Sequence, residues 1–185
     1  MGAKYSEMFE KLSGILCFIP INSKLENAMN DTNIDVEVSC KCGKSKIRLT
    51  GKPITRFICH CQICQKVYKQ GFADIVVLKK ENVHLVSSQV LNFKKFRRMP
   101  AVNRGICVSC SQPMVGFMQL APFINVAFVP AMHFKTIDLN QIVLPFAHSF
   151  YHRRVQNIDD NLPKIQGYWP SQVMVGKEIL IKFFK

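Results

Sequence analysis

From Ile34 onward the chain alternates short apolar runs with turn residues. The runs are Asp35–Ser39, Lys46–Thr50, Ile54–Ile58, Ala73–Leu78, His84–Val86, Leu91–Phe96, Met114–Met118, Ile124–Val129 and Phe146–His152. Each has strand length, and several carry β-branched residues at every second position. Strands this short and this closely spaced predict a mainly β fold, an antiparallel β-sandwich or open barrel. Helical spacing occurs in three places. Tyr5, Met8, Leu12 and Ile15 predict a short helix over Tyr5–Leu16. Gln62–Lys69 fits one or two turns. Val173, Ile179, Leu180 and Phe183 predict a terminal amphipathic helix over Val173–Phe184 with those four facing inward. The organisation that follows is an N-terminal appendage over 1–34, a β domain over 35–165, and a tail over 166–185.

With 185 residues and 48% hydrophobic residues, the chain can bury one domain core, which excludes disorder as its main state. No Asp, Glu, Lys or Arg lies between Arg104 and Lys135. That stretch has membrane-spanning length, but prolines and strand-sized runs break it, so buried strands are the reading and no transmembrane segment is expected. Ile15–Ile19 is too short for a secretory core and follows acidic Glu7 and Glu10. Met1-Gly2-Ala3-Lys4-Tyr5-Ser6 fits the loose N-myristoylation pattern. The expected location is cytoplasmic.

The formal net charge is +13. The cations are scattered, and only Lys94–Arg98 is dense. A solvated strand edge accounts for that run. The charge also suits nucleic acid or a small acidic substrate.

Seven of the eight cysteines cluster as Cys40-x-Cys42, Cys59-His60-Cys61-Gln62-Ile63-Cys64 and Cys107-x-x-Cys110. Cys17 stands alone and reads as a small buried hydrophobe. Disulfides need an oxidising compartment, to which nothing directs the chain. Paired cysteines at these spacings aim two sulfurs at one ion, and zinc suits thiolates in a reduced cytosol. A closed structural zinc takes four protein ligands, whereas a reactive one takes three and keeps a position open, so seven divides into four plus three. Spacing leaves two divisions. Cys40, Cys42, Cys107 and Cys110 can close one site and leave Cys59, Cys61 and Cys64 for the other. Alternatively, Cys61, Cys64, Cys107 and Cys110 form a ribbon and leave Cys40, Cys42 and Cys59. His60, between two ligands, points to the opposite side of an extended chain and is expected to hydrogen-bond nearby backbone. His84, His133 and His152 carry no spacing argument.

At these residues the sequence resembles the glutathione-dependent formaldehyde-activating enzyme family, which includes centromere protein V. The motifs are Ser39-Cys40-Lys41-Cys42-Gly43, Cys59-His60-Cys61-Gln62-Ile63-Cys64-Gln65-Lys66 and Cys107-Val108-Ser109-Cys110-Ser111-Gln112-Pro113, with His148 and Asp160-Asn161-Leu162-Pro163 as a later family-like stretch. The resemblance spans about residues 35–165. It implies an Mss4-like β fold, a structural zinc on Cys40, Cys42, Cys107 and Cys110, and a second zinc on Cys59, Cys61 and Cys64 that serves catalysis. It also implies carbon–sulfur lyase chemistry on a small thiol adduct, glutathione plus an aldehyde such as formaldehyde. Lys66 is then a candidate for docking a carboxylate and His148 for lining the pocket; Phe57, Phe72 and Phe117 are further candidates for the lining, with core packing the expected role of each. Ser111 departs from the family, which has glycine there, and is strained if the glycine's left-handed turn is kept. The aromatic residue common after the His148 region is also missing, with Val155 and Gln156 near its place. A non-catalytic, zinc-stabilised nucleic-acid or chromatin-binding module is the alternative, although few aromatics besides Phe93 and Phe96 interleave the basic runs.

Overall fold

The computed structural model describes residues 33–98, 101–134 and 139–184. The expected helix over Tyr5–Leu16, the acylation pattern at Gly2 and Cys17 lie outside the described residues. Among the described residues ten strands form two sheets. The smaller holds β1 (Ile34–Ser39), β2 (Lys46–Gly51) and β5 (Val83–Leu85) in the order β1-β2-β5. The larger holds β3 (Thr55–Cys59), β4 (Ala73–Lys79), β6 (Leu91–Lys95), β7 (Asn103–Cys107), β8 (Pro113–Ala121), β9 (Ile124–Pro130) and β10 (Pro145–Ser149), ordered β10-β3-β4-β9-β8-β7-β6. Neither sheet closes, so the architecture is mainly β with open, facing sheets. Pairing is antiparallel except at one edge, where β10 runs parallel to β3 and sets His148 opposite Ile58 and Ser149 opposite Cys59. Three α-helices lie among the described residues: α1 (Gln62–Tyr68), α2 (Leu139–Ile142) and α3 (Tyr168–Phe183).

Alternation builds the small sheet. Ile34, Val38, Ile47 and Leu49 are buried, while the residues between them face solvent or the rim. These side chains meet Val76 and Leu78 of β4, Ala127 and Val129 of β9, and Met114 of β8 in a first core. The opposite face of the large sheet presents Phe57, Ile75, Val77 and Val126 to a second core that Ile179 of α3 completes. Beyond Asp74, β4 is therefore apolar on both faces, which is why Ile75–Leu78 reads as a continuous run rather than an alternating one. The large sheet is the middle layer, with the small sheet on one face and α3 on the other.

Two expectations change. β7 is a strand that the apolar pattern passes over because Arg104 and Gly105 interrupt it. Gly105 pairs with Phe93, and a Cβ on it would stand 2.8 Å from the Phe93 ring, so the missing side chain makes room for the aromatic one. In α3, Ile179 is fully buried and Phe183 packs on the second core, but Val173 is 64% exposed and Leu180 42%. The inward stripe instead runs through Ser171, Val175 and Ile179. Ser171 is buried because its hydroxyl donates to the Gly167 carbonyl at 2.7 Å and accepts from the Phe150 N–H at 2.7 Å. A satisfied serine occupies a position that hydropathy assigns to the surface. Among the described residues no helix is long and apolar enough to cross a membrane.

Candidate metal centres and the adjoining cavity

The chain brings five of the seven clustered cysteines to the ends of strands or the start of a helix. Cys40 follows β1, Cys107 ends β7 and Cys59 ends β3; Cys61 is the N-cap of α1 and Cys64 lies in its first turn. The seven sulfurs gather into two groups, Cys40, Cys42, Cys107 and Cys110, and Cys59, Cys61 and Cys64, each with all its sulfurs within 4.8 Å of one another. The ribbon division, which would join Cys61 and Cys64 to Cys107 and Cys110, is not the one the fold assembles.

Two similar turns build the four-sulfur group. In the first, Gly43 N–H donates to the Cys40 carbonyl and Cys40 N–H to the Ser45 carbonyl. In the second, Ser111 N–H donates to the Cys107 carbonyl and Cys107 N–H to the Gln112 carbonyl. Both turns need a left-handed residue: Gly43 at φ 74° and Ser111 at φ 57°. The glycine conformation expected at Ser111 is thus kept by a residue with a side chain. Sulfur separations are 3.2 Å for Cys40–Cys42, 3.7 Å for Cys40–Cys107 and 3.8 Å for Cys42–Cys107. A tetrahedron with zinc–sulfur bonds of about 2.3 Å has edges of about 3.8 Å, so the group fits such an ion. Burial opposes charge on Cys40, but the Ser45 N–H at 3.3 Å and the Cys42 thiol overcome it and lower its pKa to about 6.

The three-sulfur group is compact in sequence and buried, with Cys59 4% and Cys64 2% exposed. Cys61 accepts from the Cys64 N–H at 3.4 Å, a helix-capping bond made by sulfur. Hydrogen bonds from the Cys59 and Cys64 thiols hold the Cys61 thiol at about 3. The same sharing pushes Cys59 up to about 12, through its bond to Cys61, and Cys64 well above the usual thiol range. Unaided, the cluster carries one negative charge, so ionising all three sulfurs calls for a cation among them. Among the described residues no histidine or carboxylate completes this group.

His60 does not join the sulfurs, and its ring does not bond to backbone as expected. Its Nε2 lies 2.8 Å from Nδ1 of His148, whose Nε2 lies 2.8 Å from Oδ2 of Asp160. Asp160 also accepts from Lys164 Nζ at 2.9 Å. Asp160 thus accepts from His148 Nε2–H, and the two rings share one hydrogen bond between His60 Nε2 and His148 Nδ1. His60 Nδ1 is buried without a hydrogen-bond partner. Burial first, and the neighbouring His148 second, lower the His60 pKa to about 4, so its ring is neutral. His148 is fully buried beneath this group and does not line the cavity.

A cavity of about 320 Å³ opens beside Cys59, Cys61 and Cys64. The four-sulfur group does not reach it. Phe57 belongs to the second core and also lines the cavity, whereas Phe72 packs against the His60 ring and Phe117 stacks on Phe93. Lys66 is exposed on α1 and does not line the cavity; Arg97, Arg104 and Arg153 supply its cations. Sequence reasoning missed these arginines. Arg97 belongs to the basic run read as a solvated edge, and Arg104 is visible only as the border of an uncharged stretch. His152 also lines the cavity, and its Nδ1 accepts from the Gly167 N–H at 2.9 Å. His84 is exposed, and buried His133 sits 2.8 Å from the Pro113 carbonyl.

Among curated proteins none matches the chain. Among solved structures, the crystal structure of a Rhodobacter sphaeroides protein is similar at 13% identity, covering 60% of this chain and 97% of its own, with a TM-score of 0.47. Residues 35–153, well over half the chain, match the family described as glutathione-dependent formaldehyde-activating enzyme. That span holds all seven clustered cysteines, and the chain belongs to that family.

Proposed function

We propose that this protein is a zinc-dependent carbon–sulfur lyase that makes or breaks the bond between a small thiol, such as glutathione, and an aldehyde. One observation carries the reading: three cysteines with no fourth protein ligand among the described residues form part of the wall of a cavity. A four-cysteine site, by contrast, is coordinatively closed and structural. A zinc on Cys59, Cys61 and Cys64 would supply an open position for a fourth, soft ligand and lower the pKa of a thiol there.

The chain's own residues supply the rest. The three cysteines hold the site at the end of β3 and the start of α1, with the His60–His148–Asp160 chain fixing the strand end behind them. Arg97, Arg104 and Arg153 offer charge to the carboxylates of a peptide thiol. In the forward direction a sulfur–carbon bond forms, the carbonyl double bond becomes a single bond to oxygen, and the thiol proton ends on that oxygen. His152 is placed to hand over a proton, because accepting the Gly167 N–H at Nδ1 leaves its own proton on Nε2.

The test is NMR exchange spectroscopy of glutathione with formaldehyde, in the presence of the full chain loaded with two zinc ions. The loaded protein is expected to raise the exchange rate at least about a hundredfold over the Cys61→Ala variant. Equal rates in the two proteins would refute the assignment.

A further inference from the structure

The cavity beside the three cysteines is larger than a one-carbon aldehyde requires, and reaches the size of pockets that hold small organic ligands. Its walls are mostly apolar, formed by Met118 and Leu120 of β8, Phe128 of β9, and Val175 and Ile179 of α3. The helix is the telling part. α3 covers Tyr168–Phe183, entirely beyond residues 35–153 that match the family. The part of the wall that α3 supplies therefore lies outside the span that matches the family. At Gly176, which lines the cavity, a Cβ would meet nothing within 4 Å. The helix thus gives up its side chain where the cavity needs space, at a position where glycine weakens a helix.

We propose that the site takes a thiol–aldehyde adduct bearing an apolar group several carbons long, which lies against Val175, Gly176 and Ile179 of α3. The proposal rests on the lyase reading for the identity of the reacting end. The cavity supplies the identity of the other end. A single apolar space runs past both the cysteines and the helix, so a substituent on the carbon bonded to sulfur enters it without leaving the site. Each methylene buried there tightens binding about fourfold.

Calorimetry on the full chain with cobalt in place of zinc tests this under anaerobic conditions. The probes are straight-chain thiols from methanethiol to hexanethiol, with 1-hexanol as the sulfur-free control. Affinity is expected to climb at least a hundredfold across the thiol series, since about fourfold applies to each added methylene. Gly176→Leu fills the space and suits a helix, so it folds. It should lower hexanethiol affinity at least tenfold more than methanethiol affinity, and weaken 1-hexanol as well. Flat affinity along the series, or an unchanged ratio in Gly176→Leu, overturns the proposal. The visible spectrum of the cobalt protein separates the two readings. If no thiol perturbs it while 1-hexanol binds and weakens in Gly176→Leu, the lyase reading falls and the apolar wall stands. If thiols perturb it without regard to length, the wall falls and the lyase reading stands.

Discussion

The two cysteine groups differ in what surrounds them more than in their sulfurs. Cys40 and Cys107 belong to the core between the two sheets, and Cys110 packs on it, so the first group ties β1 to β7 across a long sequence separation. Cys59 and Cys64 belong to the other core, and their group ties a strand end to the helix that follows at once. The first group carries four sulfurs and stands clear of the cavity; the second carries three and faces it. A ligand set that joins distant segments does a disulfide's work, and its loss is felt by the fold. A ligand set local in sequence constrains little chain, and its loss is felt by the chemistry.

The strongest way to break this contrast is a pair of cysteine variants. Cys107→Ala removes one of four ligands of the group that spans the sheets, and is expected to cost about 4 kcal/mol or more, because metal binding there is folding free energy. Urea denaturation of the zinc-loaded protein measures it. Cys61→Ala should keep a cooperative transition with a loss of about 1–2 kcal/mol, while thiol–aldehyde exchange disappears. Equal losses of stability in the two variants would erase the distinction between a structural and a reactive group.

The cysteines were legible in the sequence because metal ligation fixes residue type and spacing together. β1, β2 and β4 were legible for a related reason: burial on one face or both leaves a period of two or an unbroken run. The cavity was not legible. Arg97, Arg104, His152 and Val175 come from four separate places in the chain, and no local period links them. The inward stripe of α3 was misread by hydropathy because Ser171 buries a hydroxyl that finds its partners only in the fold. The His60–His148 contact was equally invisible, since it depends on β10 pairing parallel to β3 at the one edge of an otherwise antiparallel sheet.

That contact sharpens the contrast further. Backbone turns shape the four-sulfur group, joined by the Gln112 Oε1 that accepts from the Lys41 N–H at 2.6 Å, whereas the three-sulfur group is backed by a polar chain that ends at Asp160. Burial opposes ionisation of Asp160, but hydrogen bonds from Lys164 and His148 prevail and hold its carboxyl at about 2, below the ordinary 3.8. A carboxyl depressed in the folded state contributes its full stabilisation above the unfolded value and loses it as pH falls through the folded one. The wild-type protein should therefore lose this contribution between about pH 4 and pH 2, and Asp160→Asn should show a flatter profile over that window. At pH 7 the substitution is expected to cost about 1 kcal/mol, because the carboxylate is partly exposed and the asparagine oxygen still accepts from His148. Thermal melts across pH read both effects. A profile for Asp160→Asn parallel to that of the wild type would detach the chain from the stability of this end of the molecule.

The smallest effect lies within the four-sulfur group, where two equivalent turns use different residues. Gly43 adopts φ 74° and Ser111 φ 57°, each just after its second cysteine. A left-handed residue with a side chain costs about 1–2 kcal/mol. Ser111 bears that strain because Cys107 and Cys110 leave the turn no other way to point both sulfurs at their partners. Replacing it with glycine removes the strain but adds freedom to the unfolded chain, a loss of about 0.5–1 kcal/mol. The balance favours Ser111→Gly by about 0.5 kcal/mol, measured as a rise in the urea midpoint of the zinc-loaded protein. In the metal-free protein the sulfurs no longer hold the turn, so Ser111 can relax out of the left-handed region and the gain should vanish. A gain of equal size with and without metal would mean that the backbone alone, and not the ligands, imposes the conformation.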